Sequence, residues 1–186
     1  MSAGSHLEAA LAAEADAYRA LLAGTDAGPA LLKARDAYLA SHADTGPSSW
    51  GRLLGALKMA ILAGDGAEAI ARRAQAEVGP GDTPASAYLR ALAQVTLDER
   101  PDVELMLTAD DAFARTGRAL RALGDRDQPA YAAALGQIVA DFAAREQHLS
   151  GVAIADTALV LERLAAGRGM SVEPAGGGIL RPDLGL

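Results

Sequence analysis

The stretch Trp50-Gly51-Arg52-Leu53-Leu54-Gly55-Ala56-Leu57-Lys58-Met59-Ala60-Ile61-Leu62-Ala63 decides the fold. Its large apolar residues, Leu53, Leu54, Leu57, Met59, Ile61 and Leu62, cover much of a helix circumference instead of one stripe. That breadth predicts a central helix contacted from more than one side. Gly46-Pro47-Ser48-Ser49 breaks the chain ahead of it and offers a serine as N-cap. Gly64-Asp65-Gly66 makes a tight turn behind it, into a second helix over 67–77. Residues 47–77 therefore read as one helical hairpin.

Working outward, the same theme recurs with different spacing. A first helix is expected over Leu7–Leu22, with Leu7, Leu11, Tyr18, Leu21 and Leu22 as its stripe and Gly24 as its stop. A second runs from Pro29 to Ser41, its proline in the first turn, where a missing N–H costs nothing. Gly79-Pro80-Gly81-Asp82-Thr83-Pro84 separates the hairpin from a helix ending near Leu97, with Asp82 or Thr83 as cap. A short helix over Val103–Leu107 follows, then one capped by Thr108 or Asp110 and reaching Leu123. The next is expected from Gln128-Pro129 to about His148, making 108–148 a second hairpin. The last spans the amphipathic segment Gly151–Ala166, and a Gly- and Pro-punctuated tail, 171–186, is expected to pack on the body without helix. The turns Leu62-Ala63-Gly64-Asp65 and Leu123-Gly124-Asp125 are similar and Leu22-Ala23-Gly24 echoes them, but the uneven spacing rules out a strict tandem repeat. The expectation is one all-α domain over 1–186, of about eight helices, in an irregular TPR-like or bundle-like array of antiparallel hairpins.

Composition agrees. Hydrophobic residues make up 51% of the 186, but only 4% are aromatic, because Ala and Leu dominate. Those are the best helix formers, and small alanines let helices approach closely. With no cysteine, disulfides, thiolate nucleophiles and cysteine-ligated zinc are excluded. A net charge of −7 repels phosphate backbones, so nucleic acid is not an expected partner. The N-terminus lacks a signal-peptide pattern and no apolar run approaches the ~18 residues of a membrane span, so a soluble, cytoplasmic protein is expected.

Few residues suggest chemistry. Asp141, Arg145 and His148 would share one helical face by spacings of four and three residues. They form either a polar site or a capped helix end with an ion pair. Asp156, with Thr157 beside it, is the one doubtful polar member of the last helix. Its carboxylate either caps backbone donors or meets an arginine such as Arg118 or Arg121, since a buried unpaired charge would be costly. No Glu-x-x-His or His-Glu-x-x-His motif supplies a metal set, Gly176-Gly177-Gly178 lacks the Lys-Ser/Thr of a phosphate loop, and no histidine is placed to activate a serine. No catalytic residue, cofactor or metal is assigned.

One family resemblance is visible in the C-terminal third. Gly124-Asp125-Arg126-Asp127, Tyr131-Ala132-Ala133-Ala134-Leu135, the helix ending in His148, and Ile154 through Met170 with its Leu164-Ala165-Ala166-Gly167-Arg168-Gly169 element carry it, followed by Ile179-Leu180-Arg181-Pro182. In the kinds and spacing of these residues the chain resembles the immunity protein 49 family, mostly helical bacterial proteins associated with polymorphic toxin systems. Agreement is weaker over Trp50–Leu107 and almost absent from the first 45 residues. Leu149-Ser150-Gly151 stands where the family pattern has an aromatic pair. The resemblance implies a helical binder that neutralises a toxin, with no catalytic residues to transfer.

Three functions are compatible with these residues. The leading one is a non-catalytic helical protein that binds another protein, a basic one suiting its acidic surface. The second is a small-molecule binder or enzyme using an interhelical polar pocket drawn from Asp156, Arg118, Arg121, Asp141, Arg145 and His148. The third is a homodimer whose seam is the broad apolar helix 50–63.

Overall fold

The computed structural model describes residues 3–109, 112–147 and 151–172. Among them are nine helices: α1 (Ala3–Ala23), α2 (Gly28–Thr45), α3 (Trp50–Ala63), α4 (Ala67–Val78), α5 (Pro84–Thr96), α6 (Glu104–Leu107), α7 (Ala112–Asp125), α8 (Gln128–Ala143) and α9 (Asp156–Ala166). α1 packs on α2, α3 on α4, and α7 on α8, as hairpins joined by short turns. α3, α5, α7 and α9 each touch the next, and α9 returns to α3. That return turns an open hairpin array into an irregular helical bundle, and it explains the breadth of the apolar surface on α3. Leu53, Ala56, Leu57, Met59 and Ala60 are all fully buried, against α2, α4, α5 and α9. Most of the apolar circumference of α3 is thus covered within the chain, with Trp50, Leu54 and Leu62 left partly exposed.

The recurring turns have a common physical basis. α1, α3, α5, α7 and α9 all end with a residue at positive φ, followed by a backbone bond that reaches back five residues. The bonds are Thr25 N to Ala20 O (2.9 Å), Asp65 N to Ala60 O (3.2 Å), Glu99 N to Gln94 O (2.8 Å), Asp127 N to Ala122 O (2.9 Å) and Met170 N to Ala165 O (2.9 Å). Each satisfies an orphan carbonyl of the last helical turn. Glycine holds the positive φ in three of these ends, but Asp98 (φ 59°) and Arg126 (φ 56°) hold it in α5 and α7. Gly124 therefore does not play the part of Gly64, despite their similar surroundings in the sequence.

Gly124 has a packing role instead. It lies inside α7, and a Cβ there would overlap the Pro101 ring. Glycine in a helix interior ordinarily costs ~1 kcal/mol relative to alanine, so Gly→Ala commonly stabilises. Gly124→Ala should do the reverse and lower unfolding stability by about 1–3 kcal/mol in urea titrations, because overpacking must displace Pro101. A gain in stability would show that the 100–103 segment yields freely.

Three sequence expectations need correction. α8 stops at Ala143 instead of running to His148. Phe142 is its last buried residue, and Arg145-Glu146-Gln147 are exposed, leaving no apolar face to hold another turn. α9 starts at Asp156, not Gly151. Gly151 is at φ 68°, and Val152 and Ile154 are buried on either side of exposed Ala153, the alternation of an extended segment favoured by β-branched residues. In α1 the inner face is Ala10, Ala13, Ala17 and Tyr18, while Leu11 is the one exposed large hydrophobic among the described residues. Alanines win that face because they let α1 lie close against α2. Of the tail, Ser171 and Val172 are described and pack on α9; the remainder of the expected tail, 173–186, lies outside the described residues.

Candidate functional site

The sequence candidates separate into two places. Asp141, Arg145 and Asp156 line one cleft of 170 Å³ between α3, α5, α7, α8 and α9. Arg118 and Arg121 line a different groove, on the α7–α8 hairpin. His148 lies outside the described residues. Asp156 meets neither arginine: Arg118 bonds Gln137 Oε1 (3.1 Å) and Arg121 bonds Glu104 Oε1 (2.6 Å).

The partner of Asp156 is Lys58, 98 positions earlier in the chain. Lys58 Nζ donates to Asp156 Oδ2 (2.8 Å) and to Thr157 Oγ1 (3.2 Å), and lies 5.6 Å from the centre of the Tyr88 ring. Both charged side chains are largely enclosed, at 13% and 19% exposure. Asp156 does not cap α9 with its side chain; it stands in the first turn, where the helix dipole favours a negative charge. Burial pulls the Lys58 ammonium toward neutrality, but the Asp156 charge and hydrogen bond outweigh that and hold its pKa above the ordinary lysine value. The lysine is therefore charged across the whole neutral range.

The polar centre continues away from the cleft. Tyr38 donates a short hydrogen bond to Glu14 Oε2 from the facing helix. Burial first, then the Glu14 charge and hydrogen bond, push the Tyr38 phenol well above its usual value. The Tyr38 ring packs on Gly55, where a Cβ would come within 2.9 Å of it. The Tyr18 hydroxyl is buried nearby, and burial followed by the Asp156 and Glu14 charges raises its pKa.

At the other side of the cleft, Asp141 is shared by two guanidiniums. Arg115 reaches its Oδ1 (2.7 Å) and Arg145 its Oδ2 (2.5 Å), and Arg145 also stacks 4.0 Å from the Phe142 ring centre. The expected Asp141–Arg145 pair is thus made, although the helix has ended between them. Tyr88 and Phe113 meet edge to face, with ring centres 6.5 Å apart, on the same wall. The Tyr88 hydroxyl is buried without a hydrogen-bond partner among the described residues.

Two further charged sites are architectural. Glu162 is 5% exposed and faces donors, not cations: Tyr131 Oη (2.6 Å), Ser171 Oγ (2.7 Å) and the Val172 N–H (3.1 Å). His42 is in the last turn of α2 and buried, with Nε2 2.7 Å from Glu77 Oε2. Sequence reading missed Lys58, Glu14 and Glu162. One signal was present: Lys58 sits in an otherwise apolar stretch, as Asp156 does, and two such charges must find partners.

Two carboxylates of these networks set an acid limit on stability. Burial raises the Glu77 pKa, but hydrogen bonds from Arg73 and His42, with their charges, overcome it and hold the group below its ordinary 4.5. Burial likewise opposes ionisation of Asp141, and Arg145 and Arg115 bring it below its ordinary 3.8. With folded values depressed, the unfolded chain binds more protons in this window. The stabilisation is present above the unfolded pKa values and is lost as pH falls through the folded ones. Urea midpoints taken from about pH 6 to about pH 2.5 should drop steeply below about pH 4.5, and Glu77→Gln should make that drop shallower.

The groove holding Arg118 and Arg121 is more open in character. Its floor is Ala122, Ala130, Ala133 and Ala134, its volume 340 Å³, and its rim includes Asp125, Asp127 and Gln137. Arg121 and Asp125 also line an adjoining 450 Å³ groove with Arg100, Asp102 and Glu104, so the two form one extended surface. No described helix is long and apolar enough to cross a membrane, and no group of three or more His, Asp or Glu among the described residues could hold a metal ion.

The class these observations define is an all-α helical bundle with a small paired-charge cleft and a longer groove of alanine floor and charged rim. Compared with known proteins, the chain matches no protein-family model, no curated protein and no solved structure.

Proposed function

We propose that this is a non-catalytic helical protein whose role is to bind another protein, and that the partner is a toxin it neutralises. The observation that carries the binding reading is the extended groove on the α7–α8 hairpin, with an alanine floor and a charged rim on which Asp102, Glu104, Asp125 and Asp127 outnumber Arg100, Arg118 and Arg121. Exposed backbone-close floors with charged rims suit a partner segment of complementary charge, and the net −7 of the chain would steer a basic partner toward it. The toxin reading rests on the resemblance to the immunity protein 49 family, whose residues begin at Gly124-Asp125-Arg126-Asp127, on the rim of this groove.

The test joins capture to charge reversal. Purified protein should recover a stoichiometric partner from the native organism, and recovery should weaken as salt rises. Asp102→Lys/Asp125→Lys, a change at two exposed positions, should lose that partner while keeping the helical spectrum of the wild type. Co-expression should relieve the toxicity of the captured protein. Undiminished capture by the reversed variant would remove the groove from the reading, and a captured protein without toxicity would remove the toxin.

A further inference from the structure

A second, smaller site is separate from the protein-binding groove. The α3–α5–α7–α8–α9 cleft carries three cations, Lys58, Arg115 and Arg145, against two carboxylates, Asp141 and Asp156. Glu14 also acts on Lys58 from behind the cleft, so among the described residues the excess of cations lies at its Arg115–Arg145 end. The surplus is concentrated at Asp141, where one carboxylate serves two guanidiniums. A guanidinium carries five N–H donors in a planar fork matched to carboxylates, and Asp141 engages one nitrogen of each.

The rest of the wall selects what the anion is attached to. Phe113, Ile138 and Phe142 present apolar surface beside the two arginines. Tyr88 lines the same cleft, and its hydroxyl is buried and lacks a hydrogen-bond partner among the described residues. A buried hydroxyl in that state carries a desolvation cost that an added acceptor would remove. Acceptor-only chemistry, one negative charge and an apolar body together describe a small monocarboxylate. We propose that the cleft binds such a molecule, its carboxylate held by Arg115 and Arg145, its body against Phe113 and Phe142, and its free oxygen accepting from Tyr88. At 170 Å³ the space suits a ligand of few heavy atoms, below the ~300 Å³ at which drug-sized pockets begin.

Benzoate is the probe, with neutral benzamide and inorganic phosphate as comparison arms, titrated into the full chain at low ionic strength by calorimetry and amide NMR. Benzoate should bind with a Kd of about 1 mM or tighter, and benzamide and phosphate each about tenfold more weakly. Arg145→Gln alters a half-exposed side chain and should weaken benzoate about tenfold. Tyr88→Phe should also weaken it, yet leave thermal stability unchanged or raised, because the hydroxyl it removes is unpartnered. That opposite movement separates a ligand contact from a packing role. Benzamide binding as well as benzoate, phosphate competing on equal terms, or both variants binding like the wild type would each overturn the proposal. The outcome is independent of protein capture, since neither variant lies on the α7–α8 groove.

Discussion

Asp156→Ala is expected to destabilise the fold by about 3–5 kcal/mol, more than any other single substitution in the cleft. Its removal leaves the Lys58 ammonium enclosed, with Thr157 Oγ1 as its remaining hydrogen-bond acceptor and the Tyr88 ring nearby. Lys58→Met should cost less, about 1–3 kcal/mol, because the remaining carboxylate stands in the first turn of α9 and keeps the favourable helix dipole. The double variant Lys58→Met/Asp156→Ala should lie within about 2 kcal/mol of the wild type, since it buries no unpaired charge. Equilibrium urea unfolding of the four proteins closes the cycle. Equal single-mutant effects that simply add would mean that the pair contributes nothing as a pair. Because the Lys58 pKa is raised, the contribution is fully present below the ordinary lysine value, 10.5, and fades only as pH rises through the folded one. The coupling should therefore be flat from about pH 6 to about pH 9.

Glu162 gives the second large effect by a different route. Its carboxylate is the hub for three donors from two places: Tyr131 in α8, and the Ser171 hydroxyl and Val172 N–H of the segment after α9. Burial first, and then the Glu162 hydrogen bond and charge, push the Tyr131 phenol far above its ordinary value, so it remains a donor at any working pH. Glu162→Ala strands these donors and opens a cavity next to fully buried Tyr131. The expected cost is about 3–5 kcal/mol. Glu162→Gln keeps one accepting oxygen but turns an NH₂ toward another donor, and should cost about 1–2 kcal/mol. Trypsin provides a second readout. Segment 168–172 is tied to α9 through this residue, so cleavage after Arg168 should quicken in both variants, more so in Glu162→Ala. Unchanged cleavage would show that the Arg168 bonds to Val95 O and Asp98 hold the segment without Glu162.

Helices were the readable level of this protein. α3 ends at Gly64 and Thr83 caps α5, as their patterns suggest, but the Ser49 hydroxyl ahead of α3 bonds Thr45 Oγ1 and caps no backbone donor. Reading failed where local preference and burial disagreed. Val152 and Ile154 are apolar and read as part of the last helix, yet they are buried from an extended backbone. Hydrophobicity puts Leu11 inside, but alanines at 10, 13 and 17 allow closer approach and take the face. Among candidate site residues, Asp141 and Arg145 were legible because an i,i+4 pair is local. Asp156 was legible as a problem and not as a solution.

From sequence alone, then, came the all-α class, the hairpins and the need of Asp156 for a partner, because helix propensity, capping and turn chemistry act over a few residues. Tertiary structure alone chose Lys58 over Arg118 and Arg121, moved those arginines to an outer groove, and set Tyr88, Arg115 and Arg145 around one cleft. The physical reason is the return of α9 onto α3, which brings together charges 98 residues apart. Periodicity records which face of a helix is apolar; it carries no record of which distant helix will cover that face.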